Sequence, residues 1–304
     1  MIRYLKHKDI DLKLWDECIS LAPQGIIYAY SWYLDLICEG WDALVEDNYT
    51  SVMPVTRGRK YLMDYIYPPF FAQQLGVFSK YIITPEMCHA FMDAIPRAYR
   101  FVEMNVHISN QWIPEGFKVT PKTDLILSMN RSYESIRGSY SENHSRNLKK
   151  AIKNNLILNK NGNPKDVVAM FTKNRGRFIT NLQKSDYEVF LELTLTALEK
   201  KMGSVWMVSD QYAIPCAGAV FYQSHGKGVF IFSSTTKEGK TLAAMHFLID
   251  AYIREHCTVL NELDFEGSND PELARFYRGF GSTECVYLQI RKNQLPVPWR
   301  WFKN

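Results

Sequence analysis

The sequence has no apolar run approaching the roughly 18 residues that a membrane-spanning helix needs. Its opening, MIRYLKHKDIDLKLWDE, mixes charged and apolar residues throughout, so no export leader is expected and the chain reads as cytoplasmic. Cysteine is scarce and scattered: Cys18, Cys38, Cys88, Cys216, Cys257 and Cys285 form no CxxC pair. That argues against a disulfide scaffold and fits reduced, mostly buried thiols. The seven histidines do not join them at ligand spacing, so no metal site is expected. Nothing in the chain points to DNA.

What is present is ordinary for a globular protein: 46% hydrophobic and 22% charged residues over 304 positions. The length suits one large domain or two of ordinary size. Aromatics reach 14%, enough for large cores or an aromatic-lined groove. The net charge of +4 is uneven: residues 1–130 hold 12 Lys and Arg against 15 Asp and Glu, whereas residues 131–304 hold 24 against 17. The second part is therefore the better home for an anionic ligand, although charge alone equally describes a solvated basic surface.

Residues 1–110 read as strand, helix, helix, strand, strand, an aromatic Pro-interrupted loop, helix and strand. Ser31 is the expected cap of the second helix. Thr84 caps the third, with Pro85 in its first turn. Residues 161–304 repeat a similar order. Ser185 and Glu188 form an expected capping box, and TLAAMHFLIDAYIREH reads as one amphipathic helix. DPELARFYRGF is a short helix capped by Asp270. Between these parts, residues 131–160 read as a basic linker helix. Arg146, Lys149, Lys150 and Lys153 share an arc of about 100°, with Leu148, Ala151 and Ile152 roughly opposite.

Two strings carry a resemblance. LDFEGSNDPELARFYRGFG at 263–281 resembles the C-terminal signature of FemABX-like acyltransferases, and SRNLKKAIKNN at 145–155 is similar to the basic helix that opens their second domain. The resemblance implies a mixed α/β fold of two tandem GNAT-like domains, a mostly antiparallel sheet with flanking helices in each. The expected division is 1–130, a linker at 131–160, and 161–304. It also implies transfer of an acyl group from a thioester, acyl-CoA or an acyl carrier, to a primary amine of a small molecule or cell-envelope precursor. Aminoacyl-tRNA in peptidoglycan bridge synthesis is the alternative donor. A ligand-binding duplication without turnover is a third reading.

Amine acylation needs a base for the ammonium, a stabilised oxyanion and a proton for the leaving group. Asp264 and Glu266 flank Phe265 on a strand, so their side chains share a face. Glu266 at the strand's end is the candidate base, or else pairs with Arg275 or Arg278. Ser268 either donates into the same mouth or caps the next helix. The resemblance casts Tyr277 as the acid for a thiolate leaving group, with a core tyrosine as the equal alternative. A tyrosine here, where the tRNA-using branch favours lysine, leans the reading toward a thioester. Arg278, Arg146, Lys149 and Lys150 are candidate substrate contacts. The loop STTKEGK suggests Lys237, Gly239 and Lys240 for the CoA pyrophosphate, with Phe232, Ser233 and Ser234 offering main chain to the pantetheine arm. Only one glycine stands in that loop, short of the usual phosphate-binding pattern. Tyr65, Tyr67, Phe70, Phe71 and Gln73 form an aromatic loop that walls an acceptor groove or fills core.

Overall fold

The computed structural model describes residues 1–60, 63–110, 112, 115–174, 176, 182–266 and 269–296. In chain order its elements begin with β1 (Ile2–Leu5), α1 (Leu12–Leu21), α2 (Ser31–Ile37), β2 (Asp42–Glu46), β3 (Ser51–Val55), β4 (Arg57–Lys60), β5 (Met63–Ile66), β6 (Phe78–Ser79), α3 (Pro85–Asp93) and β7 (Phe101–Val106). There follow β8 (Lys118–Ser128), α4 (Tyr133–Gly138), α5 (Glu142–Lys153), β9 (Ile157–Asn159), α6 (Pro164–Lys173), α7 (Lys184–Glu199) and β10 (Gly203–Ser209). The chain ends with β11 (Pro215–Ser224), β12 (Lys227–Thr235), α8 (Lys237–Thr241), α9 (Ala244–His256), β13 (Glu262–Asp264), α10 (Pro271–Arg278) and β14 (Thr283–Asn293).

The chain forms two units, Met1–Thr123 with Val286–Asn304, and Asp124–Cys285. Residues 131–160 thus lie inside the second unit rather than between two domains, and the last strand returns to the first. The expected linker helix is two helices. Tyr140 donates to the Arg137 carbonyl to close α4, and Ser141 Oγ accepts from His144 N at 3.2 Å to open α5. A serine that can serve as a new N-cap ends one helix and starts another.

In the first unit, β1, β2, β3 and β6 pair antiparallel. β5 pairs antiparallel with β4 and parallel with β7, and β7 pairs antiparallel with β14. Leu44, Met53, Phe91, Met104 and Ile290 belong to one buried core. Asp42 is fully buried there and ion-paired to Lys6 at 3.1 Å and Arg57 at 3.0 Å, the pairing that a buried carboxylate requires. α2 begins after Tyr30, and the Ser31 hydroxyl donates to Asp16 Oδ2 at 2.7 Å instead of capping.

In the second unit the strand order is β8-β13-β12-β11-β10-β9. Neighbours are antiparallel except β12 and β13, which are parallel. α9 and α10 cover one face: Phe221, Phe230 and Phe265 pack there with Tyr252 and Tyr277. α6 and α7 cover the other, where Phe171 and Phe190 meet Phe232 at 4.6 and 4.4 Å. Tyr133 and Tyr140 donate to the buried Asp250 carboxylate at 2.9 and 3.1 Å and fasten the chain around α4 to α9. The helix expected over 241–256 breaks at Ala243, whose φ is 58°, giving α8 and α9. α7 opens two residues earlier than expected: Gln183 N donates to Asp186 Oδ2 at 2.6 Å, so the box is Gln183–Asp186 and not Ser185–Glu188.

Candidate functional site

The second unit's sheet opens at β12 and β13. Their parallel register covers only Lys227↔Glu262, Gly228↔Leu263 and Val229↔Asp264. β12 then continues to Thr235, whereas the chain after β13 stays with β8, where Phe265 N donates to the Leu125 carbonyl at 3.0 Å. Among the described residues, the β13-facing edge of β12 from Phe230 to Thr235 has no strand partner. Its main-chain groups are thus offered to a ligand, as at any open sheet edge. A register shift at Val220/Phe221 pairs Phe221 with Phe230 but Val220 with Phe232. Ile231 is therefore a bulge, and Phe230 and Phe232 face opposite sides of the sheet although they are two residues apart.

Asp264 ends β13. It is 7% exposed, and its Oδ1 accepts from Glu266 N at 2.8 Å, holding a bend in which Glu266 has φ 46°. The register Asp264↔Ile126 puts Asp124, two residues along β8, on the same face. Asp124 is 1% exposed, and its side chain hydrogen-bonds that of Asp264. Burial, then the facing charges of Asp124 and Glu266, push the Asp264 carboxyl well above the usual carboxylate range. Two buried carboxyls in contact cannot both ionise, so the pair holds one proton between them. Tyr222 shares this face and donates or accepts at Thr194 Oγ1, 2.9 Å away.

Sequence reasoning named Asp264 and Glu266 and missed Asp124. The available signal was an acid in the strand pattern TDLILS, but its partner is fixed only by the β8–β13 register.

The other nominated residues fall into separate places. Tyr277 is 5% exposed and stacks on Phe265 at 4.7 Å and 11°, on the sheet face opposite Asp264. The Arg278 Nε donates to Glu284 Oε1 at 2.8 Å, so this guanidinium serves a surface ion pair. Ser268 lies outside the described residues. Phe232 faces α6 and α7, and Ser234 is buried at 6% exposure.

Lys237 and Lys240 are exposed on α8. Gly239 is there for packing: a Cβ would come within 2.0 Å of the Cys216 carbonyl oxygen. Its N–H is taken by Thr236 Oγ1 at 2.9 Å. Arg146, Lys149, Lys150 and Lys153 are all exposed on α5. The helix buries His144, Leu148 and Ala151. Ile152, expected on that apolar side, is 50% exposed. In the first unit the aromatic loop supplies Tyr67, Pro68 and Ala72 to a cleft of about 220 Å³ with Leu75 and Met104.

Two imidazoles, the buried His144 and the half-buried His246, pack beside α10 with ring centroids 4.7 Å apart. Burial lowers both, His246 to about 4 with help from His144. No helix among the described residues is long and apolar enough to cross a membrane.

No family model and no curated protein matches this sequence. Solved structures do. The chain is similar to the crystal structure of FemX, with TM-score 0.70 and 12% identity over 97% of this chain and 98% of that one. A conserved protein of unknown function from Bacteroides thetaiotaomicron superposes with TM-score 0.61 and 9% identity, covering 96% of this chain and 99% of its own. L-PGS from Bacillus licheniformis gives 0.52 and 8%, covering 86% and 87%. The fold is thus the FemX-like one that the two sequence strings implied, a mixed α/β architecture of two tandem units.

Proposed function

We propose that the chain is an acyltransferase that moves an acyl group from a thioester donor to a primary amine. The observation that carries this reading is the open β12 edge beside the buried Asp264–Asp124 carboxyl pair, in a fold shared with FemX. An extended pantetheine arm bears two amides, and the free N–H and C=O groups of residues 230–235 suit it as a surrogate strand. Lys237 and Lys240 stand at the end of that edge for the donor's phosphates.

Glu266 takes a proton from the acceptor ammonium, directly or through water. The freed amine attacks the thioester carbon and forms the new C–N bond. Main-chain N–H groups of the β12 edge hold the oxyanion. As the C–S bond breaks, the proton shared by Asp264 and Asp124 goes to the leaving sulfur, and the second proton lost by the acylated nitrogen returns to that carboxyl pair. Tyr277 is given a supporting role, since its ring holds Phe265 on the far face.

Aminoacyl-tRNA is the second donor reading, favoured by the exposed cations of α5. The test is thermal unfolding against a panel of acyl-CoAs and charged tRNAs, followed by turnover with the donor that stabilises the chain. Glu266→Gln is expected to lower turnover by about 10²–10⁴-fold, while Tyr277→Phe stays within about three-fold of wild type. Full activity of Glu266→Gln refutes the mechanism. Absence of stabilisation by any donor refutes the reading.

A further inference from the structure

Four strand ends of the second unit meet at one end of its sheet. β9 begins at Ile157, which pairs with Ser209 at the end of β10, and Ser209 also pairs with Pro215 at the start of β11. β12 ends there too, with Thr235 opposite Ala217. Beyond these ends the β10–β11 hairpin carries Tyr212 at 75% exposure and Ile214 at 59%, and Ile157 beside it is 50% exposed. The hairpin is ordered: Asp210 Oδ1 accepts from both Tyr212 N and Ile214 N at 2.9 Å.

α5 reaches the same end. Only residues 154–156 separate Lys153 from Ile157, so the end of the helix at Lys153 stands at most about 15 Å from Ile157. Lys150 and Lys153 are exposed in that last turn, with exposed Lys149 just before it, and none of the three has an acidic partner among the described residues. The half-exposed Ile152 flanks them.

We propose that this end of the second unit is a docking surface for an anionic lipid bilayer. Unpaired lysines alone suit any polyanion, RNA included. The exposed aliphatics and the tyrosine decide between them: phosphate recognition has no use for Ile152, Ile157 and Ile214, whereas a bilayer interface takes aliphatic side chains below the headgroups and tyrosine at their level. The lysines meet the headgroup charge. An aqueous role leaves this apolar group in water with nothing to bury it.

Sedimentation of the full chain with lipid vesicles tests the surface, without any acyl donor, so the docking and the transfer chemistry succeed or fail separately. Vesicles of phosphatidylcholine with about one-third phosphatidylglycerol should carry the protein down, and pure phosphatidylcholine should not. Lys150→Gln with Lys153→Gln should weaken binding by roughly five-fold per cation removed. Tyr212→Ser with Ile214→Ser should weaken it by about ten-fold or more, with an unchanged circular dichroism spectrum and melting temperature. Wild-type protein that ignores anionic vesicles, a hairpin variant that binds them as wild type does, or retention on tRNA with no vesicle binding each overturns the proposal.

Discussion

Gly239→Ala separates a packing glycine from a phosphate-cradling one. The new Cβ would sit 2.0 Å from the Cys216 carbonyl oxygen and 2.7 Å from its carbon. Reaching ordinary contact requires α8 and β11 to part by more than an ångström, because the obstacle is backbone and cannot rotate away. Thr236 N donates to that same carbonyl at 2.9 Å, so the displacement strains or breaks this bond. Overpacking contributes about 1–3 kcal/mol, and the lost hydrogen bond about 1 kcal/mol. Better helix propensity of alanine offsets up to about 1 kcal/mol. The net expectation is a loss of roughly 1–4 kcal/mol, or about 2–6 °C in melting temperature for a chain of this size. Gly138→Ala is the control, since nothing lies within 4 Å of its Cβ position; it should be neutral or slightly stabilising. Scanning calorimetry checks both. A Gly239→Ala variant melting at or above the wild-type temperature would show that α8 does not press on β11.

Further outcomes concern titration. Asp264 has a raised carboxyl in the folded state, so its contribution to stability is present at acid pH and lost as pH rises out of the ordinary carboxylate range. Asp124→Asn removes the facing charge and keeps an oxygen for Leu125 N, which now donates to Asp124 Oδ1 at 2.8 Å. The variant should lose less stability than wild type between pH 5 and pH 8, by about 1.4 kcal/mol for each unit by which Asp264 relaxes; parallel urea-unfolding profiles would contradict this. His246 has the opposite sign: burial depresses it to about 4, so its stabilising contribution holds above its unfolded value and fades as pH falls. Relative to His246→Phe, wild type should lose roughly 2 kcal/mol between pH 7.5 and pH 5, read by the same titration; equal losses would show that the imidazole is solvated.

Two helix caps were legible in the sequence, whereas Ser31 and Ser185 do not cap the helices they were expected to open. Thr84 accepts from Met87 N with Pro85 behind it, and Asp270 from Glu272 N and Leu273 N. What escaped depends on partners distant in sequence. Period-two alternation puts Phe230 and Phe232 on one face, and only pairing with β11 reveals the bulge between them. Ala243 breaks a helix with neither glycine nor proline to announce it. For the site, Asp264 and Glu266 stood out because they flank a core phenylalanine at a strand end, while Asp124 became visible only when β8 paired with β13. Tyr277 drew attention through its motif, yet its stacking on Phe265 sets it in the core.

Amide hydrogen exchange across the second unit, with and without a saturating acyl-CoA, reports on the open strand edge itself. Slowed exchange concentrated in residues 230–235 and around the Asp264–Glu266 bend is the expected result. Unchanged exchange along that edge in the presence of a donor that demonstrably binds would mean that the acyl group is handled elsewhere.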